Sequence, residues 1–191
     1  EAYAVLDSEV GQSWLQKAQE DTTTIPLAFF DIGFRELTCN NEVHTPDDLK
    51  GVKIRVMPDP IQTATWEALG CAVTPVAYSE LYTALQQGTI DAQENPLSVI
   101  TSSRFNEVQD YLSMTEHVYS AAPLMVSKAA YDALPDDLKA IVDEAGVEAC
   151  QWEREYLAEV EVQWLDELET AGTQINYPDK APFVDAMSSV Y

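Results

Sequence analysis

Basic residues are scarce in this chain. Ten Lys and Arg stand against 33 Asp and Glu in 191 residues, a formal charge of −23. Nucleic-acid binding draws on counterion release onto clustered Lys and Arg, and no such cluster is present. The same imbalance disfavours an anionic membrane surface. Long apolar runs are also missing, and none approaches the roughly 20 residues that cross a bilayer. There are two histidines and three cysteines, with no Cys-x-x-Cys pair. Cys39 and His44 lie close in sequence but have no second ligand pair, and His117 is far from any cysteine, so no metal site is expected. One disulfide plus a free thiol, or three buried thiols, both fit Cys39, Cys71 and Cys150. The seven glycines are scattered, and G-x-G-x-x-G, P-loop and G-x-S-x-G motifs are absent, so no cofactor is expected. The opening EAYAVLDSEV has neither the basic nor the apolar segment of a signal peptide.

What is present is an α/β pattern. The 46% hydrophobic content is ordinary for a globular protein. Residues 8–20 predict a helix capped by Ser8, and 25–31 a buried strand. A turn at Gly33 leads into a further extended stretch. Thr45-Pro46 opens a short helical turn that Gly51 closes. Then a unit repeats: strand 52–56, helix 60–69 ending at Gly70, strand 72–76, helix 80–87 ending at Gly88, strand 89–94. Strands alternating with short helices predict a mainly parallel sheet. Asn95-Pro96 opens a helix to about Arg104, and 111–115 and 123–127 read as two strands. Residues 136–171 contain no proline and twelve acids against Lys139 and Arg154. Apolar residues at Leu138, Ile141, Ala145, Ala149, Trp152, Tyr156, Val160, Trp164 and Leu168 step by threes and fours, one stripe on one long helix. Such a helix would be about 54 Å long. Strand 174–177 and a helix from Pro182 complete the chain.

Four residues at strand ends and strand–helix turns are candidates for binding. Ligands of open α/β sheets sit at the carboxyl ends of strands. Arg55 sits late in strand 52–57, facing away from Val52, Ile54 and Val56, and a guanidinium matches a carboxylate with two parallel hydrogen bonds. Arg35 follows the Gly33 turn, with Glu36 as its nearest acid. Asn95 reads locally as a helix cap, but its amide could equally donate to and accept from a ligand. Tyr78 reads as an apolar staple or as an aromatic wall with a polar tip. The histidines read as solvated loop residues.

The segments GFREL (33–37), LKGVKIRVMPDP (49–60), ALGCAVTPVAYSELYTALQQGTIDAQENP (68–96) and LPDDLKAIVDEA (134–145) closely resemble the DctP-like solute-binding proteins of tripartite ATP-independent periplasmic (TRAP) transporters. The match runs in order from about residue 5 to the end. The resemblance implies a two-lobe periplasmic binding protein fold, type II-like, with hinge strands and a long bracing helix, the N-terminal lobe incomplete in this chain. On that reading 1–32 is a remnant of the first lobe and hinge, and 33–120 the second lobe. Residues 121–135 return to the first lobe, 136–171 form the long helix spanning both, and 172–191 are a strand and a helix start. It also implies further residues ahead of residue 1, including a signal peptide, and a last helix cut at Tyr191.

The implied function is an extracytoplasmic receptor, not an enzyme. It would bind a small organic acid in a cleft between the lobes and deliver it to TRAP membrane subunits, as a monomer without nucleic-acid partner or membrane insertion. A ligand sensor for a signalling partner, or an α/β hydrolase or lyase using Arg55 with Asp91 or Glu94, are the alternatives. The family's carboxylate-binding arginine falls on Arg55, the second arginine on Arg35, the aromatic on Tyr78 where Phe is usual, and the asparagine on Asn95. Glu94 would hold Arg55 in place. Ala92 where glycine is common, and Cys71, are further departures.

Overall fold

The computed structural model describes residues 2–190. In chain order its elements are α1 (Ala2–Leu6), α2 (Glu9–Asp21), β1 (Thr24–Cys39), β2 (Lys53–Arg55), α3 (Pro60–Ala68), β3 (Ala72–Val73), α4 (Tyr78–Gln86), β4 (Ala92–Pro96), α5 (Leu97–Ser102), β5 (Tyr111–Ser127), α6 (Lys128–Asp132), α7 (Asp136–Thr170), β6 (Gln174–Asn176) and α8 (Ala181–Ala186). Single 3-10 turns lie at Pro46–Leu49 and Phe105–Glu107. The chain divides into two compact units, one running to Gly33 and including Ser120–Val160, the other made of Phe34–Tyr119 and the residues from Glu161.

The second unit carries the sheet pairings β3-β2-β4-β1-β5-β6. β2 is parallel to both β3 and β4, and β5 to β6, whereas β1 is antiparallel to β4. One apolar cluster gathers Leu37, Ile54, Trp66 and Phe183; a second gathers Leu81, Ile100, Phe105, Leu112 and Leu168. Each fully buried side chain of this size contributes about 1.5–3 kcal/mol. The short helices stop where the sequence says they should: Gly70 and Gly88, just beyond α3 and α4, take the left-handed φ of 87° and 68° that favours glycine. β4 is buried at all five positions, polar residues included.

In the first unit, Ser8 caps α2 by accepting a hydrogen bond from the Val10 N–H at 3.1 Å. α7 meets β1 at Gly146, where an added Cβ would lie 2.6 Å from Leu27 Cδ1. Arg154 is 8% exposed; it pairs with both carboxylate oxygens of Asp7 at 2.9 Å and donates to the Phe29 carbonyl at 2.8 Å.

Several expected boundaries move. The strand at 25–31 and the extended stretch after Gly33 are one 16-residue strand, with Gly33 at φ 86° inside it rather than in a turn. The Asp31 carboxylate holds the bend by accepting from the Gly33 N–H at 2.8 Å. Strands 111–115 and 123–127 are likewise one 17-residue strand, bent at Glu116 with φ 45°. α4 begins at Tyr78, two residues earlier than expected, and β4 reaches Pro96, so Asn95 is a strand residue and not a helix cap. The long helix forms as a single element; Val160 and Leu168 of the apolar stripe are buried, but before Val160 the buried face is not that stripe. Leu138, Ile141, Trp152 and Tyr156 are exposed, while Gly146, Cys150, Arg154, Leu157 and Val160 are buried. Close backbone approach at Gly146 and the Arg154 bonds set the rotation, and neither residue scores as apolar. All three thiols are free and buried.

Candidate functional site

β2 ends at Arg55, which stands opposite Gln93 of β4. Although only 5% exposed, Arg55 forms no ion pair among the described residues. Its Nε donates to the Val76 carbonyl at 3.2 Å, and its guanidinium lies 5.9 Å from the centre of the Tyr78 ring. Its terminal nitrogens make no hydrogen bond among the described residues and are not sealed from solvent. Burial lowers its pKa, the Glu94 charge opposes that, and Arg35 adds to it. Arg55 therefore senses both neighbours without being neutralised by direct contact. A shallow cavity of about 230 Å³, lined by Val56, Pro58, Pro75, Val76 and Ala77, lies at the same turn.

Arg35, on β1 opposite Pro96, is arranged differently. Its Nε and Nη2 donate to the Glu94 carboxylate at 2.5 and 2.9 Å, and Nη2 also donates to the Glu94 carbonyl and to Asn95 Oδ1 at 3.0 Å. Glu94 is fully buried and shares Oε2 with His117 Nε2 at 3.0 Å. Burial alone would raise its pKa, but the hydrogen bonds from His117 and Arg35 hold it below the usual carboxylate range. Glu94 thus neutralises Arg35, not Arg55 as expected. Nor does Glu36 pair with Arg35; its carboxyl accepts the Glu116 N–H at 2.8 Å.

Asn95 is 5% exposed and joins Arg35 directly. Tyr78 is half exposed at the first turn of α4, with its hydroxyl 2.6 Å from Ser103 Oγ. The four anticipated residues thus fall into two linked pairs, Arg35 with Asn95 and Arg55 with Tyr78. Their surroundings add Glu94, Gln93 and His117. Three consecutive polar residues, Gln93-Glu94-Asn95, inside a strand between strand–helix units were a legible signal for the first two. His117 gave none: it is no solvated loop residue but a strand residue with a buried side chain, its ring centre 5.0 Å from that of Trp66 in an edge-to-face contact and its Nδ1 2.8 Å from Thr115 Oγ1. His44, by contrast, is exposed.

The site therefore holds one buried guanidinium balanced by a carboxylate and one that is not. All 191 residues match the family of bacterial extracellular solute-binding proteins, family 7, DctP. The chain belongs to this family. A solute-binding protein of Verminephrobacter eiseniae is 41% identical over 192 residues, covering 99% of this chain and 57% of that one. A TRAP periplasmic solute-binding protein from Bordetella bronchispeptica, whose bound density was assigned to pantoate, superposes with TM-score 0.90 at 43% identity, covering 100% of this chain and 63% of the other. One from Polaromonas, bound to D-erythronate, superposes with TM-score 0.91 at 36% identity over the same shares. The chain thus spans about three-fifths of the length of these relatives. The family and its solved members bind solutes, and their fold is that of this chain. No helix of the described residues is long and apolar enough to cross a membrane.

Proposed function

We propose that this chain is part of an extracytoplasmic TRAP receptor for a small carboxylate, in which Arg55 grips the carboxylate. The observation that carries the reading is the asymmetry of the two arginines. Arg35 has its counter-ion in Glu94, whereas Arg55 has only a carbonyl on Nε and an aromatic ring nearby. A largely buried guanidinium without a counter-ion is costly, and a carboxylate arriving at its solvent-reaching terminal nitrogens removes that cost by charge-assisted hydrogen bonds. Asn95 and Tyr78 would orient the rest of the ligand, and Arg35 would act as a fixed neighbour.

Pantoate, to which the bound density of one relative was assigned, and D-erythronate, bound by another, are both 2-hydroxy acids on a four-carbon chain. Small hydroxy acids are therefore the first candidates for this chain, delivered to the membrane subunits of a TRAP transporter. The net charge of −23 does not oppose this, because exposed charges beyond about 8–10 Å are largely screened while Arg55 acts at contact. The enzyme alternative finds no support at Glu94, whose carboxylate is tied to Arg35 and His117.

A thermal-shift screen of hydroxy acids, dicarboxylates and sugar acids should show stabilisation by at least one carboxylate. Arg55→Ala should then abolish its binding in calorimetry while leaving cooperative melting intact. No stabilisation by any carboxylate, or an unchanged affinity in Arg55→Ala, overturns the reading.

A further inference from the structure

A single directed chain of hydrogen bonds runs behind the site. Arg35 Nη2 donates to Asn95 Oδ1 at 3.0 Å, and Asn95 Nδ2 donates to Gln93 Oε1 at 2.5 Å. Gln93 Nε2 donates to Thr38 Oγ1 at 2.9 Å, and Thr38 Oγ1 to Gln109 Oε1 at 3.2 Å. Gln109 Nε2 ends the chain on Asn40 Oδ1 at 2.6 Å, with the carbonyls of Val108 and Asp91 at 3.2 and 3.4 Å. Gln93, Gln109, Thr38 and Asn95 are 0%, 1%, 2% and 5% exposed.

We propose that Gln93 is a positioning residue that locks the Asn95 amide so that Asn95 meets the ligand as a hydrogen-bond donor. This rests on Asn95 contacting the ligand, as in the function proposed above. The direction of the chain is dictated at both ends. Arg35 can only donate, so the atom of Asn95 that faces it must be the oxygen. The Val108 and Asp91 carbonyls can only accept, so the atom of Gln109 that faces them must be the nitrogen. Reversing any amide between them would set donor against donor or oxygen against oxygen in a buried site, at the full cost of unsatisfied groups. The amide of Asn95 therefore presents its second N–H, and its oxygen is turned toward Arg35. Of the two roles the sequence allowed Asn95, the surroundings select donation, which suits a carboxylate, hydroxyl or keto oxygen.

Three measurements on the full chain test this. In amide NMR the Asn95 side-chain NH2 should exchange slowly in the wild type and rapidly in Gln93→Met; equally rapid exchange in both overturns the proposal without reference to any ligand. In calorimetry with pantoate and D-erythronate, Gln93→Met should bind about tenfold more weakly. If Asn95→Ala weakens binding but Gln93→Met does not, the positioning role fails while the site reading stands. If Asn95→Ala has no effect, Asn95 is not a ligand contact and the site reading itself fails at that residue. The third is Gln93→Glu. Its carboxylate can accept from Asn95 but cannot donate to Thr38, whereas its neutral carboxyl can do both. Its affinity relative to the wild type should rise as the pH is lowered from about 9 to 5. Arg35, Arg55, Glu94 and His117 face the site in both proteins, so the wild-type profile removes their contribution. A parallel pair of profiles overturns the proposal.

Discussion

At the scale of single residues, burial decides what each charge can do. Arg35 and Arg55 are nearly equal in exposure, 6% and 5%, yet one is balanced by Glu94 and the other is not. Their sequence neighbourhoods do not give this: Glu36 adjoins Arg35, yet the counter-ion of Arg35 is Glu94, 59 residues on. Arg55→Lys should bind at least tenfold more weakly than wild type in calorimetry, because an ammonium cannot reproduce the two-toothed fork; wild-type affinity would show that charge alone suffices. Glu36 gives a second prediction at this scale. Burial pushes its carboxyl up from 4.5 to about 7, against hydrogen bonding from the Glu116 N–H that lowers it. The folded state therefore keeps a proton that the unfolded chain loses near its ordinary pKa. Stability from this group is full below about 4.5 and is lost as pH rises through about 7, by on the order of 3 kcal/mol. Glu36→Gln keeps an acceptor for Glu116 and removes the titration. Denaturant unfolding of the pair should show the variant gaining on the wild type from pH 5 to pH 8; a flat difference would show that Glu36 titrates normally.

At the scale of elements, local chemistry was the most readable. The Ser8 cap, the Thr45-Pro46 turn, and glycine stops at positions 51, 70 and 88 all stand where the residue types predict. Strand length was less so. Gly33 and Glu116 bend long strands without ending them, because carboxylates accept from their N–H groups: Asp31, two residues before Gly33, and Glu36, 80 residues from Glu116. The rotation of α7 was legible only toward its C-terminal end, where Val160 and Leu168 of the apolar stripe are buried. Its buried face includes Gly146 and Arg154, chosen by a close strand and by Asp7, and it leaves Trp152 and Tyr156 stacked in solvent at 5.0 Å. Gly146→Ala should cost about 1–3 kcal/mol in urea unfolding, since its methyl would collide with Leu27. A neutral result would mean that α7 and β1 separate easily at that point. Ala149→Ser, on the exposed face, should change stability by less than about 0.5 kcal/mol.

At the scale of the molecule, the dominant quantity is charge. With −23 distributed over 191 residues, self-repulsion lowers stability and salt should restore part of it. The melting temperature should rise by several degrees between low salt and about 1 M NaCl; a salt-independent value would show that the acids are already compensated in pairs. Composition, helix stops, the α/β alternation and the choice of Arg35, Arg55, Tyr78 and Asn95 as candidates follow from the sequence by itself, because each depends on residue type and on neighbours a few positions away. Which arginine keeps its charge unbalanced, which way the Asn95 amide points, and where His117 lies were decided only by the tertiary structure. Those outcomes depend on partners 23, 59 and 60 residues away, as His117 with Glu94 and Arg35 with Glu94 and Asn95 show. A buried polar group takes its role from whatever the fold places within hydrogen-bonding distance.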